Sequence, residues 1–413
     1  MTDHLEARSV SVRPSALTSM ARLYWLALGT FAIGTEGFMI APLLPDLARD
    51  LSVSIVSAGQ LVTVFALTYA LSSPALTTLT GDVDRRRLLI VSMLAFAGAN
   101  FVAWSAHGYF ALLSARVLLA LAAGLYVPNA SALASAIVEP ARRGTALSIV
   151  TGGISVAVAF GVPLGALIGD RFGWRVNFAV VGALAAIATV GLLGGLPRDI
   201  AGRLPVASLR ERLEVARQPA VLLALVSTML WATGAYAVYT YLALFLARAA
   251  GISGSTVSAV LLMLGLAAVV GLRLGGRLTD RVGYLPVIVT SLSALTLAFL
   301  GLSTTALLLP PAAAAVPILL AIALWGVSAW AFFPAQQARL ICIAGVKVAP
   351  VVLSLNASFQ FLGFSTGAAL GSLTLASASP VALGWVGASS VAAALSLVLA
   401  ASRRARCPAS VAS

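Results

Sequence analysis

Two ionisable residues stand where the surrounding sequence is otherwise apolar. Glu36 lies in the middle of FAIGTEGFMIAPLLPD (31–46), and Arg116 in the middle of LLSARVLLALAAG (112–124). An ionised group at the centre of a bilayer costs about 2.5–3.5 kcal/mol on insertion scales, so each needs a partner or a task. A carboxyl group beside a guanidinium meets both needs. The pair lowers the burial cost, and the proton affinity of the acid then depends on where its neighbour sits. That is chemistry for proton exchange. The alternative is a structural pair that only joins two helices.

Enzymatic chemistry has little to work with. Gly251-Ile252-Ser253-Gly254 matches the G-x-S-G of intramembrane serine proteases, but such a serine needs a base in reach. His4 and His107 are the only histidines, one in the N-terminal tail and one in a loop. Multi-histidine metal centres fail on the same count, and one membrane carboxylate cannot form an aspartyl dyad. The chain is read as no enzyme, with no metal and no bound cofactor. The GISG run is read instead as the turn and N-cap before a helix.

The elements that must position Glu36 and Arg116 follow from composition. The 413 residues are 60% hydrophobic and 9% charged, with mean hydropathy +1.02. A soluble surface needs about 25% charged residues, so this is an all-α membrane protein. A span takes about 20 apolar residues. Twelve fit, near 22–44, 56–79, 87–106, 109–132, 144–168, 175–197, 219–246, 255–278, 285–306, 313–337, 350–375 and 380–402. The longest polar interruption, 198–218, divides them into bundles of six, 22–197 and 219–402. Residues 1–21 and 403–413 read as tails.

An even number of spans puts both termini on one side. That side carries 21 of the 26 lysines and arginines, against four on the other, with Arg116 left inside span 4. The excess marks the tail side as cytoplasmic. It also accounts for the net charge of +13 without nucleic acid. Cys342 and Cys407 fall on the same side, where a disulfide scaffold is not expected.

The halves repeat each other. Gly161, Gly165 and Gly169 in span 5 have the spacing of Gly363, Gly367 and Gly371 in span 11. Pro128 in span 4 corresponds in the same way to Pro334 in span 10. Such small-residue ladders pack helices closely. With Pro163 removing one backbone bond, the span 5 ladder is read as a pliant seam between the halves. Parallel six-helix repeats with a central site are a transporter architecture.

Three motifs give this a family. GGRLTDRVGYLP after span 8 supplies Gly276, Leu278, Asp280, Arg281 and Gly283 of the loop signature G-x-L-x-D-R-x-G. The first copy, TTLTGDVDRRRLLI, keeps Leu79 and the basic run but has Thr77 and Gly81 at the signature's glycine and aspartate. LLSARVLLALAAG resembles the span 4 motif linked to proton coupling. GGISVAVAFGVPLGALIG resembles the glycine–proline motif of antiporters. The chain thus resembles the major facilitator superfamily, in its twelve-span drug:proton antiporter branch, and is similar to bacterial arabinose, nucleoside and chloramphenicol efflux permeases. The resemblance implies two pseudo-symmetric six-helix bundles in the bacterial inner membrane, working as a monomer by alternating access. Its energy source is the proton gradient, and its cargo a small organic molecule of the drug, sugar or nucleoside class. An uptake permease of the same fold is the alternative. The resemblance also implies a latch at Asp280 and Arg281, with Asp280 near a helix N-terminus.

Depth brings the two ionisable residues together. Glu36 lies nine residues before Pro45 and Arg116 eight after Gly108, which places them about 13 and 12 Å below one face. Spans 1 and 4 line the same cavity in the family the chain resembles, so the two side chains are expected to meet. The second half offers no counterpart: Ile322 stands at the position equivalent to Arg116, and span 7 lacks charge between Arg217 and Arg248. Its wall is expected to be neutral, built from Trp231, Tyr236 and Tyr239 in span 7, Trp325 and Trp330 in span 10, and Asn356 and Gln360 in span 11. Asn129, after Pro128, is a candidate to line the cavity from the first half.

Overall fold

In a computed structural model of the chain, residues 16–139, 142–196, 208–345 and 348–402 are described. The first four spans are α1 (Ala16–Asp50), α2 (Ile55–Leu79), α3 (Arg85–Trp104) and α4 (Tyr109–Ala136). Span 5 is α5 (Arg143–Val156) and α6 (Val162–Phe172), joined by a π-turn at Ala157–Gly161, and span 6 is α7 (Trp174–Gly195). A short linker helix, α8 (Leu209–Ala216), precedes span 7, which is α9 (Pro219–Tyr239) and α10 (Leu242–Ala250). Spans 8 to 12 are α11 (Ser255–Val282), α12 (Tyr284–Leu308), α13 (Pro311–Ala344), α14 (Ala349–Ser377) and α15 (Leu383–Ser402).

Eleven of the spans are long and apolar enough to cross a membrane. The other, α14, is 29 residues long but more polar, with Asn356 and Gln360 among several serines and threonines. Span 1 outruns its expected limits at both ends. It starts at Ala16, inside the expected tail, and continues through Pro42 and Pro45 to Asp50. A proline costs a helix one hydrogen bond but does not end it where a neighbour takes the freed carbonyl. Much of the expected tails and residues 198–207 of the linker lie outside the described residues. Cys342 is disulfide-bonded, contrary to the reduced state expected of a cytoplasmic thiol.

Spans 1 to 6 pack among themselves, as do spans 7 to 12. The halves meet along two related seams, span 2 against span 11 and span 5 against span 8. Call the face where span 1 begins and span 12 ends the terminal face, and the opposite one the far face. Several cross-half contacts sit toward the far face. Ser372 donates to the Val56 carbonyl at 3.3 Å, and Tyr239 donates to the Phe38 carbonyl at 3.1 Å. Tyr241, at the break in span 7, presses against Gly59 of span 2 and Gly371 of span 11. On the terminal face, Arg212 of α8 donates to Ser354 Oγ of span 11 at 2.7 Å and lies 3.5 Å from Thr77 Oγ1 of span 2.

The glycine ladders do not form the seam between halves. Gly161, Gly165 and Gly169 face Thr35, Met39 and Leu43 of span 1, and Gly363, Gly367 and Gly371 face the backbone and side chains of span 7. Each ladder closes its own half, because the helix it must approach is the cavity-lining neighbour one repeat-position away. The cross-half approach in span 5 is made at the π-turn instead, where a Cβ on Gly265 of span 8 would lie 2.5 Å from the Ala159 Cα. Pro163 explains the turn. It has no N–H to give the Ala159 carbonyl, and the local register shifts to i→i+5, with Val162 N bonding Ala157 O.

Two loop residues also differ from expectation. A Cβ on Gly276 would meet nothing within 4 Å; the packing glycine is Gly275, 2.5 Å from the Ala331 Cα by the same test. Asp280 lies in the last turn of α11, not in a loop, because the helix runs on to Val282 before Gly283 (φ 83°) turns the chain into α12. Asp280 and Arg281 are both exposed. DRFGW at 170–174 makes the same corner on the far face, with Gly173 at φ 85°. Its likeness to DRVGY at 280–284 is therefore one turn geometry used twice.

These seams make a prediction. Gly265→Leu forces a branched side chain onto Ala159 backbone, an overpacking worth about 1–3 kcal/mol, so the far face should open about tenfold more often. Labelling of a far-face cysteine reporter measures this; Gly276→Ala should label as the parent does.

Candidate functional site

Span 1 brings Glu36 to the centre between two glycines. A Cβ on Gly34 would lie 2.9 Å from Ala157 Cβ, so the π-turn of span 5 rests directly against this stretch. On the other side Arg116 of span 4 donates through Nη1 to Glu36 Oε1, forming an ion pair with both side chains fully buried. Arg116 Nε donates to the Leu61 carbonyl of span 2 at 3.1 Å, and the guanidinium lies 4.1 Å from the centre of the Phe65 ring. Three elements thus fix the arginine: a carboxylate, a backbone oxygen and an aromatic face.

The pair is not saturated. Glu36 Oε2, Arg116 Nη2 and the neighbouring Thr35 Oγ1 are buried with no hydrogen-bond partner. Buried polar atoms are rarely left so, and where they are, an ion, water or substrate group is the usual completion. One carboxylate oxygen is held while the other is available to take a proton.

An aromatic cluster gathers around Phe38, two residues further along span 1. Phe38 stands edge-on to Tyr236, Tyr239 and Phe364, at centroid distances of 6.1, 6.2 and 6.2 Å. Tyr236 stacks on Phe364 at 3.8 Å, and Tyr69 on Phe361 at 3.8 Å. Tyr239 continues to Trp325 at 6.5 Å, and Trp325 to Phe299 at 5.1 Å. The cluster joins rings of both halves. The hydroxyl of Tyr239 takes the Phe38 carbonyl, the one that Pro42 leaves without its helical N–H. A proline in span 1 therefore creates the acceptor that span 7 uses to bind across to the first half.

The remaining candidates divide. Tyr236, Tyr239 and Trp325 belong to the aromatic cluster. Trp231 stacks on Phe332 at 5.1 Å, and Trp330 is half-buried outside these ring contacts. Asn356 accepts from Thr228 Oγ1 at 2.7 Å, while Gln360 is half-buried and outside that network. Asn129 is occupied: its Oδ1 accepts from Arg85 at 2.6 Å and its amide donates to the Leu125 carbonyl at 2.6 Å. The carbonyl freed by Pro128, that of Gly124, is taken by Ser73 Oγ at 2.7 Å and does not line a cavity.

Sequence reasoning missed Phe38, Phe361, Phe364 and Tyr69. Phe361 and Phe364 have the same i, i+3 spacing as Tyr236 and Tyr239, which was the available signal. Arg85, Arg212 and Arg339, counted among the 21 basic residues of the tail side, are all buried. The second half thus also buries a charge, because α13 runs to Ala344 and carries Arg339 within it.

Paired helical halves around a buried ion pair define a membrane carrier, and the comparisons give its family. The profile of the Major Facilitator Superfamily matches residues 26–368. The chain is 33% identical over 369 residues to the uncharacterized MFS-type transporter YbcL of Bacillus subtilis, covering 89% of this chain and 92% of that protein. It is 31% identical over 348 residues to the inner membrane transport protein YdhP of Escherichia coli K12, covering 84% and 85%. It is 34% identical over 264 residues to a chloramphenicol resistance protein of Streptomyces lividans, covering 63% and 67%. Among solved structures, a bacterial homolog of the human lysosomal transporter Spinster, in an inward-facing and occupied conformation, has TM-score 0.73 at 19% identity, covering 92% and 96%. The protein belongs to the Major Facilitator Superfamily and is a multi-span secondary transporter, not an enzyme.

The buried pair predicts a non-additive mutant series. Arg116→Leu strands a buried carboxylate and should cost about 3–5 kcal/mol. Glu36→Gln combined with Arg116→Leu should recover more than half of that loss. Thermal unfolding of the purified variants checks both values.

Proposed function

We propose that the protein is a proton-coupled exporter of a small organic molecule, with Glu36 as the proton-carrying group and Arg116 as its counter-charge. The observation that carries this reading is the fully buried ion pair with one unpartnered oxygen and one unpartnered nitrogen, on a helix whose Phe38 joins rings of both halves. No fixed structural link needs that arrangement, since a static pair is best served by saturating both groups.

The two six-helix halves, 22–197 and 219–402, rock around this centre while the linker 198–218 spans them on the terminal face. That face is read as cytoplasmic from the arginine excess, in the inner membrane of a bacterial cell. With the far side closed by Phe38 and Tyr239, substrate enters from the cytoplasm while Glu36 is ionised and held by Arg116. Rocking separates Tyr239 from Phe38 and admits protons from outside. Protonation cancels the Glu36 charge, frees Arg116 and weakens the hold on the substrate, which leaves. The protonated carrier returns and releases its proton inside. The monomer suffices, because both halves of the site lie on one chain. Export is favoured over uptake by the glycine–proline signature in span 5 and by the relative named for chloramphenicol resistance. The drug, sugar and nucleoside classes remain the panel to test.

The sign of the pH effect follows. Acidifying the outer compartment raises occupancy of the protonated, releasing state, so efflux should accelerate as external pH falls. Glu36→Gln mimics that state permanently. It should insert normally, lose proton-driven transport about tenfold or more, and lose the pH dependence. Everted-vesicle proton-flux assays with chloramphenicol, arabinose and inosine measure both. Parent-level coupling in the variant would falsify the assignment.

A further inference from the structure

The linker helix α8 is fixed twice. At its start Ser208 Oγ accepts from Glu211 N at 3.2 Å, and the Glu211 carboxylate accepts from Ser208 N at 2.7 Å, which is a capping box. Near its end Val215 buries into a small apolar cluster with Val221, Leu340, Val352 and Leu355, residues of spans 7, 10 and 11. The helix is therefore seated on the second half.

Arg212, three residues before Val215, lies on the same side of α8. It is buried, with Nη1 donating to Ser354 Oγ of span 11 at 2.7 Å and Nη2 to Thr77 Oγ1 of span 2 at 3.5 Å. One guanidinium thus touches both halves. It ends a line of contacts running down the seam of spans 2 and 11. Ser372 meets the Val56 carbonyl, Ser365 donates to the Thr63 carbonyl at 3.1 Å, and Tyr69 stacks on Phe361. Those pairs meet directly, whereas Thr77 and Ser354, at the terminal face, are bridged by Arg212. Thr77 also stands where the loop signature has glycine. Its counterpart in the second copy, Gly276, has open space around it, while Thr77 is buried and gives Arg212 an acceptor.

The two bonds are unequal. The one to Ser354, within the second half, is short and charge-assisted, and the one across the seam to Thr77 is long. The Thr77 hydroxyl also donates to the Ser73 carbonyl of its own helix at 2.7 Å, so parting from Arg212 leaves it satisfied. The arginine is thus held firmly by its own half and weakly by the other. We propose that α8 is a latch on the terminal face, with Arg212 as its bolt and Thr77 as the catch, closed in this structure and released whenever the halves part on that side. The proposal rests on the reading of the chain as a carrier whose halves rock, but not on proton coupling or on the identity of the cargo.

The test reads each face separately by thiol labelling of purified full-length protein, without substrate or pH gradient. Ser358→Cys reports the terminal face, one turn deeper than Ser354 on the same side of span 11, and Ser372→Cys reports the far face. Each rate is corrected for the same protein lacking the reporter. Arg212→Ala should raise labelling of the terminal reporter about tenfold and lower that of the far reporter, since a shift toward one open state depletes the other. Thr77→Ala leaves the linker intact and removes only the catch; it should shift both reporters in the same directions, by less. The double variant should label no faster than Arg212→Ala alone, because the two residues act through one contact. Arg210→Ala, on the exposed side of α8, should label as the parent does. The latch is overturned if neither Arg212→Ala nor Thr77→Ala moves the terminal reporter, if both reporters label faster together, which marks loosened packing, or if Arg210→Ala has the same effect as Arg212→Ala.

Discussion

A guanidinium and a carboxylate removed from water must be held by something, and in this protein the surrounding helices are arranged to do so. Arg116 is fixed by Glu36, by a carbonyl of span 2 and by the Phe65 ring, so spans 1, 2 and 4 are tied at a single level of the bundle. The close approach of span 5 to span 1 through its glycines seals the other side of the same point. The first half is thus built around a charge pair whose burial is tolerable only while the three partners stay together. That dependence couples the charge of either member to the packing of all three spans.

The prolines have a role that pattern alone conceals. Each frees one carbonyl, and in two described cases the vacated acceptor is taken by a side chain from another helix. Ser73 takes that of Gly124 within the first half, and Tyr239 takes that of Phe38 between the halves. Pro163 works differently, by shifting the register of span 5 into a π-turn, which is the part of that span that meets span 8. Two of these irregularities, the Phe38 carbonyl freed by Pro42 and the π-turn of span 5, lie where the halves touch, beside the regular seam of span 2 on span 11. Contacts of this kind can be broken and remade at small cost, since a freed carbonyl in a cavity can exchange a hydroxyl for water.

The two halves share a plan but not a chemistry. The repeat puts span 5 on span 1 and span 11 on span 7 through equivalent glycine ladders. Within that common frame the first half buries the Glu36–Arg116 pair and, at the start of span 3, Arg85, while the second half buries Arg339 near the end of span 10.

Composition, the division of arginines between loops and the repeated glycines determined the membrane class, the twelve spans and the two halves, because each depends on local sequence and on the thickness of a bilayer. The meeting of Glu36 and Arg116 was also legible, from equal depth along the two helices together with the family resemblance that puts spans 1 and 4 on one cavity. Rotation about the helix axis was not. Which way a residue faces decided that the ladders close each half and do not join them, that Asn129 serves Arg85, that Phe38 and Phe364 complete the aromatic cluster, and that Arg339 lies inside. Facing depends on how neighbouring helices pack, and in a chain apolar on every side no hydrophobic stripe records it.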